Sequence, residues 1–142
     1  MSRGDRLAWA PDWAAASSQP GKLAFQGPER SILLDGADHI ADELAVLLPG
    51  WPARPSQFPT LQADVTVSWA GRRFHIAAPG RPPRSVRRCA TAASHAANAL
   101  LAALIAASPR RMSLHAAGFA AADGGAVVLA GPSGSAKSTL AM

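Results

Sequence analysis

Residues 126 to 139 constrain this chain more than any other stretch. An apolar run, Ala126-Val127-Val128-Leu129-Ala130, leads directly into Gly131-Pro132-Ser133-Gly134-Ser135-Ala136-Lys137-Ser138-Thr139. The apolar run reads as a buried strand, and a stretch of small residues ending in a cation and two hydroxyls follows it. Backbone N–H groups surround a polyanion only where small residues let the main chain come close, and the start of a following helix adds further donors. Gly, four residues, a small residue, Lys and Ser, placed after a strand, is therefore read as a phosphate-binding loop of the Walker A type. The sequence ends at Met142, barely one turn into the helix expected next. The expectation is a fragment that opens a nucleotide-binding domain and omits most of it.

Each position has a chemical reason. Gly131, Gly134 and Ser135 give the main chain room, with Pro132, Ser133 and Ala136 completing the wrap. Lys137 is placed to reach the β- and γ-phosphates of a nucleoside triphosphate as a point charge, and the Ser138 hydroxyl to complete the coordination of a bridging Mg²⁺ ion. Thr139 falls in the first helical turn. Ala136 stands where glycine is usual, a position at which a Cβ is costly if the loop needs a positive φ. Ala-Lys-Ser also occurs in the loop of minichromosome-maintenance helicases, which use ATP. The plainer alternative is a Gly/Ser turn that happens to contain a lysine. Strand, spacing, lysine and paired hydroxyls together favour the loop.

Composition sets the remaining bounds. The chain has 142 residues and is 49% hydrophobic, enough for a folded domain with a modest core, although much of that fraction is alanine. Cys89, the one cysteine, excludes an internal disulfide and fits a reducing, cytoplasmic setting. No local base supports it as a nucleophile, so it is read as an inert thiol. The net charge of +5 comes from twelve arginines against two lysines, Lys22 and Lys137. The densest arginine cluster, Arg81, Arg84, Arg87 and Arg88, lies in a Pro-rich connector without interleaved aromatics, which argues for a solvated linker and against nucleic-acid binding. The four histidines are too dispersed for a zinc motif. Behind Met1-Ser2-Arg3-Gly4-Asp5-Arg6 there is no apolar h-region, so no secretory signal is expected. Ala90 to Ala107 is near the minimum length for a membrane span, but it is alanine-rich and contains His95 and Asn98, so a buried helix is expected instead.

The chain divides into an N-terminal α+β region with a Pro-rich linker, residues 1–84, and residues 85–142, a helix, a β-hairpin and the loop. Residues 1 to 30, with Trp9 and Trp13 one helical turn apart, are read as loops and short elements. A strand is expected at Ser31 to Leu34, a helix near Asp38 to Leu48 and a Pro-rich loop from Pro49 to Pro59. Alternating runs at Ala63 to Trp69 and Arg72 to Ala77, joined at Ala70-Gly71, predict a hairpin. After a connector at Pro79 to Arg84, Ser85 is the expected N-cap of a helix running to Ala107, which Ser108-Pro109 ends. A second hairpin is expected from Met112 to Ala121 and Ala126 to Ala130, turning at Asp123-Gly124-Gly125.

Ser113-Leu114-His115-Ala116-Ala117-Gly118-Phe119, then a Gly-containing turn, an apolar strand and Gly-Pro-Ser-Gly-Ser-Ala-Lys-Ser, resembles the HPr serine kinase/phosphorylase family and its related kinases. His115 lies sixteen residues ahead of Gly131, one more than is usual there, and the turn accommodates the difference. The resemblance covers roughly residues 112 to 142. It implies a P-loop α/β kinase domain like that of phosphoenolpyruvate carboxykinase, here truncated and preceded by the α+β lobe. It also implies that ATP phosphorylates a serine of a protein or peptide. Carried over by position, Gly131 to Ser138 bind phosphates, Lys137 stabilises transferred charge, and His115 corresponds to a histidine near the active site; taken alone, His115 also reads as an ordinary strand-end histidine. The family's aspartate base is not among these residues, so the fragment is expected to bind phosphate weakly and to be inactive alone. Related kinases occur as homo-oligomers.

Two other classes share these features. Transporter ATPases of the ABC type carry a similar Gly-Pro-Ser-Gly-Ser-x-Lys-Ser-Thr-Leu loop, but usually reach it early, with an upstream aromatic for adenine, whereas 130 residues precede Gly131. Alternatively the first 110 residues form a non-catalytic module for a peptide or carrier protein, the Ala63 to Ala77 hairpin adding a strand at its edge.

Overall fold

The computed structural model describes residues 21–57, 60–111, 116–120 and 124–131. The chain forms two compact units, residues 1–109 and 110–142. In the first, a six-stranded sheet has the order β3-β1-β2-β4-β5-β6, with β1 at Lys22–Phe25, β2 at Ile32–Asp35, β3 at Ala53–Pro55, β4 at Val65–Ala70, β5 at Arg73–Ala77 and β6 at Arg84–Val86. Helix α1 spans Ala41–Leu47, after a 3₁₀ turn at Ala37–His39, and α2 spans Cys89–Ala106.

Period-two burial selects one face of this sheet. Leu23 and Phe25 of β1, Ile32 and Leu34 of β2, Val65 and Val67 of β4, and Phe74 and Ile76 of β5 are buried and lie in register across the strands. Ile40 and Leu44 join them from the α1 region, and Leu100 from α2. The Trp51 ring meets Phe25 edge-on at 5.2 Å, and its indole N–H donates to the Gln26 carbonyl at 2.7 Å. Strands β2 and β4 are parallel, with Leu34 opposite Val65. Parallel neighbours need a crossover connection, and the chain supplies it with α1 and the excursion to β3. As it leaves β2 the chain passes β4 so closely that a Cβ on Gly36 would lie 1.8 Å from the Val67 carbonyl oxygen, and Gly36 has φ 76. Glycine is required there on both counts.

Helix α2 explains its own composition. Its buried residues are Ala92, Ala93, Ala96, Ala97, Ala99 and Leu100, and small side chains on one face let the helix axis approach α1 and strands β2, β4, β5 and β6. It is a helix long and apolar enough to cross a membrane by length and composition, with a third of that stretch buried within the protein.

Several local expectations shift. The first hairpin turns on Gly71-Arg72, with Ala70 paired to Arg73, one residue later than expected. Ser85 is not a helix cap: it lies in β6 opposite His75, and its hydroxyl accepts from Arg73 Nε at 2.8 Å. Extended Arg88 precedes α2 instead, without a side-chain cap. The Pro-rich loop contains β3, and the region before residue 30 contains β1. The long helix, assigned from sequence to the later part of the chain, belongs to the first unit, because its alanine face closes that unit's core. Trp9 and Trp13 lie outside the described residues.

In the second unit, β7 (Ala116–Ala120) and β8 (Ala126–Ala130) form an antiparallel pair in register from Ala116–Ala130 to Ala120–Ala126.

Candidate functional site

The β7–β8 hairpin carries the approach to the phosphate-loop motif. Strand β8 ends at Ala130 and delivers Gly131, whose position is exposed. Ala116 and Ala130 form the terminal register pair; His115 is bonded to the first of these residues and Gly131 to the second. At the other end the connection contains Gly124 with φ 84, a left-handed conformation that suits glycine. Of the candidate site residues, Gly131 is described. Pro132, Ser133, Gly134, Ser135, Ala136, Lys137, Ser138 and Thr139, with His115, lie outside the described residues.

In the first unit the polar groups with firm partners serve structure. Arg30 grips Asp64 with both ends of its guanidinium, Nη2 to Oδ1 at 2.6 Å and Nη1 to Oδ2 at 2.9 Å, and the Leu33 N–H donates to Asp64 Oδ2 at 2.8 Å. The Arg30 hydrogen bonds, aided by the Leu33 amide and opposed by partial burial, hold the Asp64 carboxyl below the usual carboxylate range. This carboxylate, kept ionised by its partners, ties the chain before β4 to the start of β2. The Cys89 thiol donates to the His39 carbonyl at 3.3 Å, and burial, reinforced by Glu43 and Asp42, pushes its pKa up to about 12. It stays protonated at neutral pH and is no nucleophile. Among the described residues no group of three or more His, Cys, Asp or Glu side chains could hold a metal ion.

The first hairpin offers no strand for a peptide to extend. Strand β4 is paired with β2 and β5 with β6, so both of its edges are occupied. The sheet ends instead at β3 and β6. The arginine cluster also separates. Arg81 and Arg84 line a cleft with His95 and Asn98, whereas Arg87 and Arg88 are exposed just before α2. Sequence reasoning passed over that cleft; its signal was His95 and Asn98, three apart in a mostly apolar helix. Comparisons of the chain with family models, with curated proteins and with solved structures give no match.

Proposed function

We propose that residues 131–139 bind the phosphates of ATP together with Mg²⁺. In this reading the chain opens the nucleotide-binding domain of a phosphotransferase related to the HPr serine kinases, which phosphorylates a serine of a protein or peptide. One observation carries it: a strand, Ala126–Ala130, ends where the Gly-x4-Ala-Lys-Ser pattern begins. The donor set fits a triphosphate, because residues 131–139 hold small residues, one ammonium and four hydroxyls, with no carboxylate to repel the phosphates. Lys137 takes the β- and γ-phosphates and Ser138 the metal ion, which when bound neutralises charge between the phosphates. The pairing of Ala116 with Ala130 supports a place for His115 near the loop, since one register pair brings their chain neighbours to the same end of the hairpin.

No aspartate follows Asp123 in the sequence, so the assay suited to these residues is binding. Titration of a fluorescent ATP analogue with Mg²⁺ should show saturable binding, and Lys137→Ala should weaken it at least about tenfold, the loss of a charge-assisted contact. A native chain that does not bind, or a Lys137→Ala chain that binds equally well, sinks the phosphate-loop reading. Phosphoserine appearing on an acceptor would carry the kinase assignment, and release of inorganic phosphate alone would favour a transporter-type ATPase.

A further inference from the structure

Within the first unit, a cleft of about 430 Å³ opens between the chain leaving β5 and the middle of α2. Three elements furnish its polar wall. Arg84 stands opposite Ile76 in the β5–β6 register and so shares the sheet face on which Ile76 is buried. His95 and Asn98, three apart on α2, occupy neighbouring places on one side of the helix. Arg81 sits on a turn closed by its own N–H donating to the Ala78 carbonyl at 3.2 Å. Ile76 and Ala99 supply an apolar floor.

No carboxylate lines this cleft. Neither Arg81 nor Arg84 forms an ion pair with an acidic side chain among the described residues. Two guanidiniums converging on one concavity without a counter-ion repel each other, and a bound anion removes that repulsion. Two arginine forks with an amide and an imidazole beside them offer more donors than a carboxylate can accept. Their double positive charge matches a dianion.

We infer that this cleft binds a phosphomonoester, its phosphate held by Arg81, Arg84, His95 and Asn98 and its organic group against Ile76 and Ala99. The site is separate from residues 131–139 and does not depend on them. The phosphate can belong to a free small molecule or to a phosphorylated side chain.

The test is an NMR titration of the ¹⁵N-labelled full chain with inorganic phosphate, phenyl phosphate and a capped phosphoserine, at constant ionic strength. Saturable shifts confined to Arg81, Arg84, His95, Asn98 and the residues beside them in the cleft are expected, with phenyl phosphate at least about fivefold tighter than inorganic phosphate because of the apolar floor. Arg81→Ala and Arg84→Ala should each weaken binding at least about tenfold with spectral dispersion retained, and Lys137→Ala should leave it unchanged. Capped phosphoserine binding more tightly than phenyl phosphate assigns the site to a phosphorylated side chain; the reverse order assigns it to a free small molecule. Equal shifts from chloride, or binding lost in Lys137→Ala and kept in the arginine variants, overturns the proposal. So does a thymidine oligonucleotide that outcompetes every monoester with a steep salt dependence, the mark of a nucleic-acid surface.

Discussion

At Arg72 the backbone has φ 63, and Gly71 beside it has φ 57. Both central residues of this two-residue turn are left-handed, the arrangement that matches the twist of paired strands. An L-residue with a Cβ is strained there by roughly 1–2 kcal/mol, whereas glycine is not, although glycine also loses more entropy on folding. Arg72→Gly is expected to stabilise the first unit by about 1 kcal/mol, read from the urea midpoint. A lower midpoint would mean that the arginine side chain contributes a contact worth more than the strain. Asp64 makes a prediction of opposite character. Its folded pKa is depressed, chiefly by Arg30, so the stabilisation is fully present above the ordinary carboxylate pKa of about 4. It fades as pH falls through the depressed folded value. Asp64→Asn should lower stability at pH 7 and flatten the loss as pH falls below about 4. Identical acid limbs in the two proteins would show that the pair does not couple to folding.

Helix α2 is the element on which the first unit turns. Its buried face is alanine except for Leu100, which is fully buried. Leu100→Ala should therefore cost about 2–5 kcal/mol, since a rigid helix held by alanines cannot collapse into the cavity. Ala96→Leu tests the other side of the same packing: Ala96 is also fully buried, and overpacking there should cost about 1–3 kcal/mol. Thermal melts of the two variants decide the matter, and a neutral Ala96→Leu would show that helix and sheet have slack between them. The elements also show where sequence is legible. Strands β4 and β5 were readable because six and five residues alternate through a short turn. Strands β3 and β6 have three residues each, too few to show a period, and the prolines of their segments read as loop. Ser85 was a sound helix-cap signal by residue type, but the hydrogen bond from Arg73 and the pairing with His75 hold it in the sheet.

At the scale of the whole molecule, two units meet in sequence near residue 109, and the exposed pair Arg110 and Arg111 follows immediately. Limited trypsin digestion should cut first after Arg110 or Arg111 and leave the first unit as a resistant fragment, because exposed segments with few contacts are cleaved before strands and helices. First cleavage after Arg84, within β6, would show that this end of the sheet opens more readily than the boundary. The two units also separate the two anion sites argued above. Residues 131–139 belong to the second, and the cleft between β5 and α2 to the first. Lys137 and Arg84 variants therefore address different functions in one chain.

The sequence by itself determined what depends on neighbours in the chain. The pattern we propose as a phosphate loop is a matter of local spacing, small residues followed by Lys137 and Ser138 within a few positions. The first hairpin and the long helix are legible because burial imposes periods of two and of 3.6 on contiguous residues. Only the tertiary structure decided what depends on residues far apart. The placement of α2 in the first unit follows from alanines meeting strands that lie well before it in sequence, and the sheet order from a parallel β2–β4 pair formed across a crossover. The cleft likewise joins a turn, an edge strand and a helix. Burial and charge balance are sums over such distant neighbours, and no local pattern encodes them.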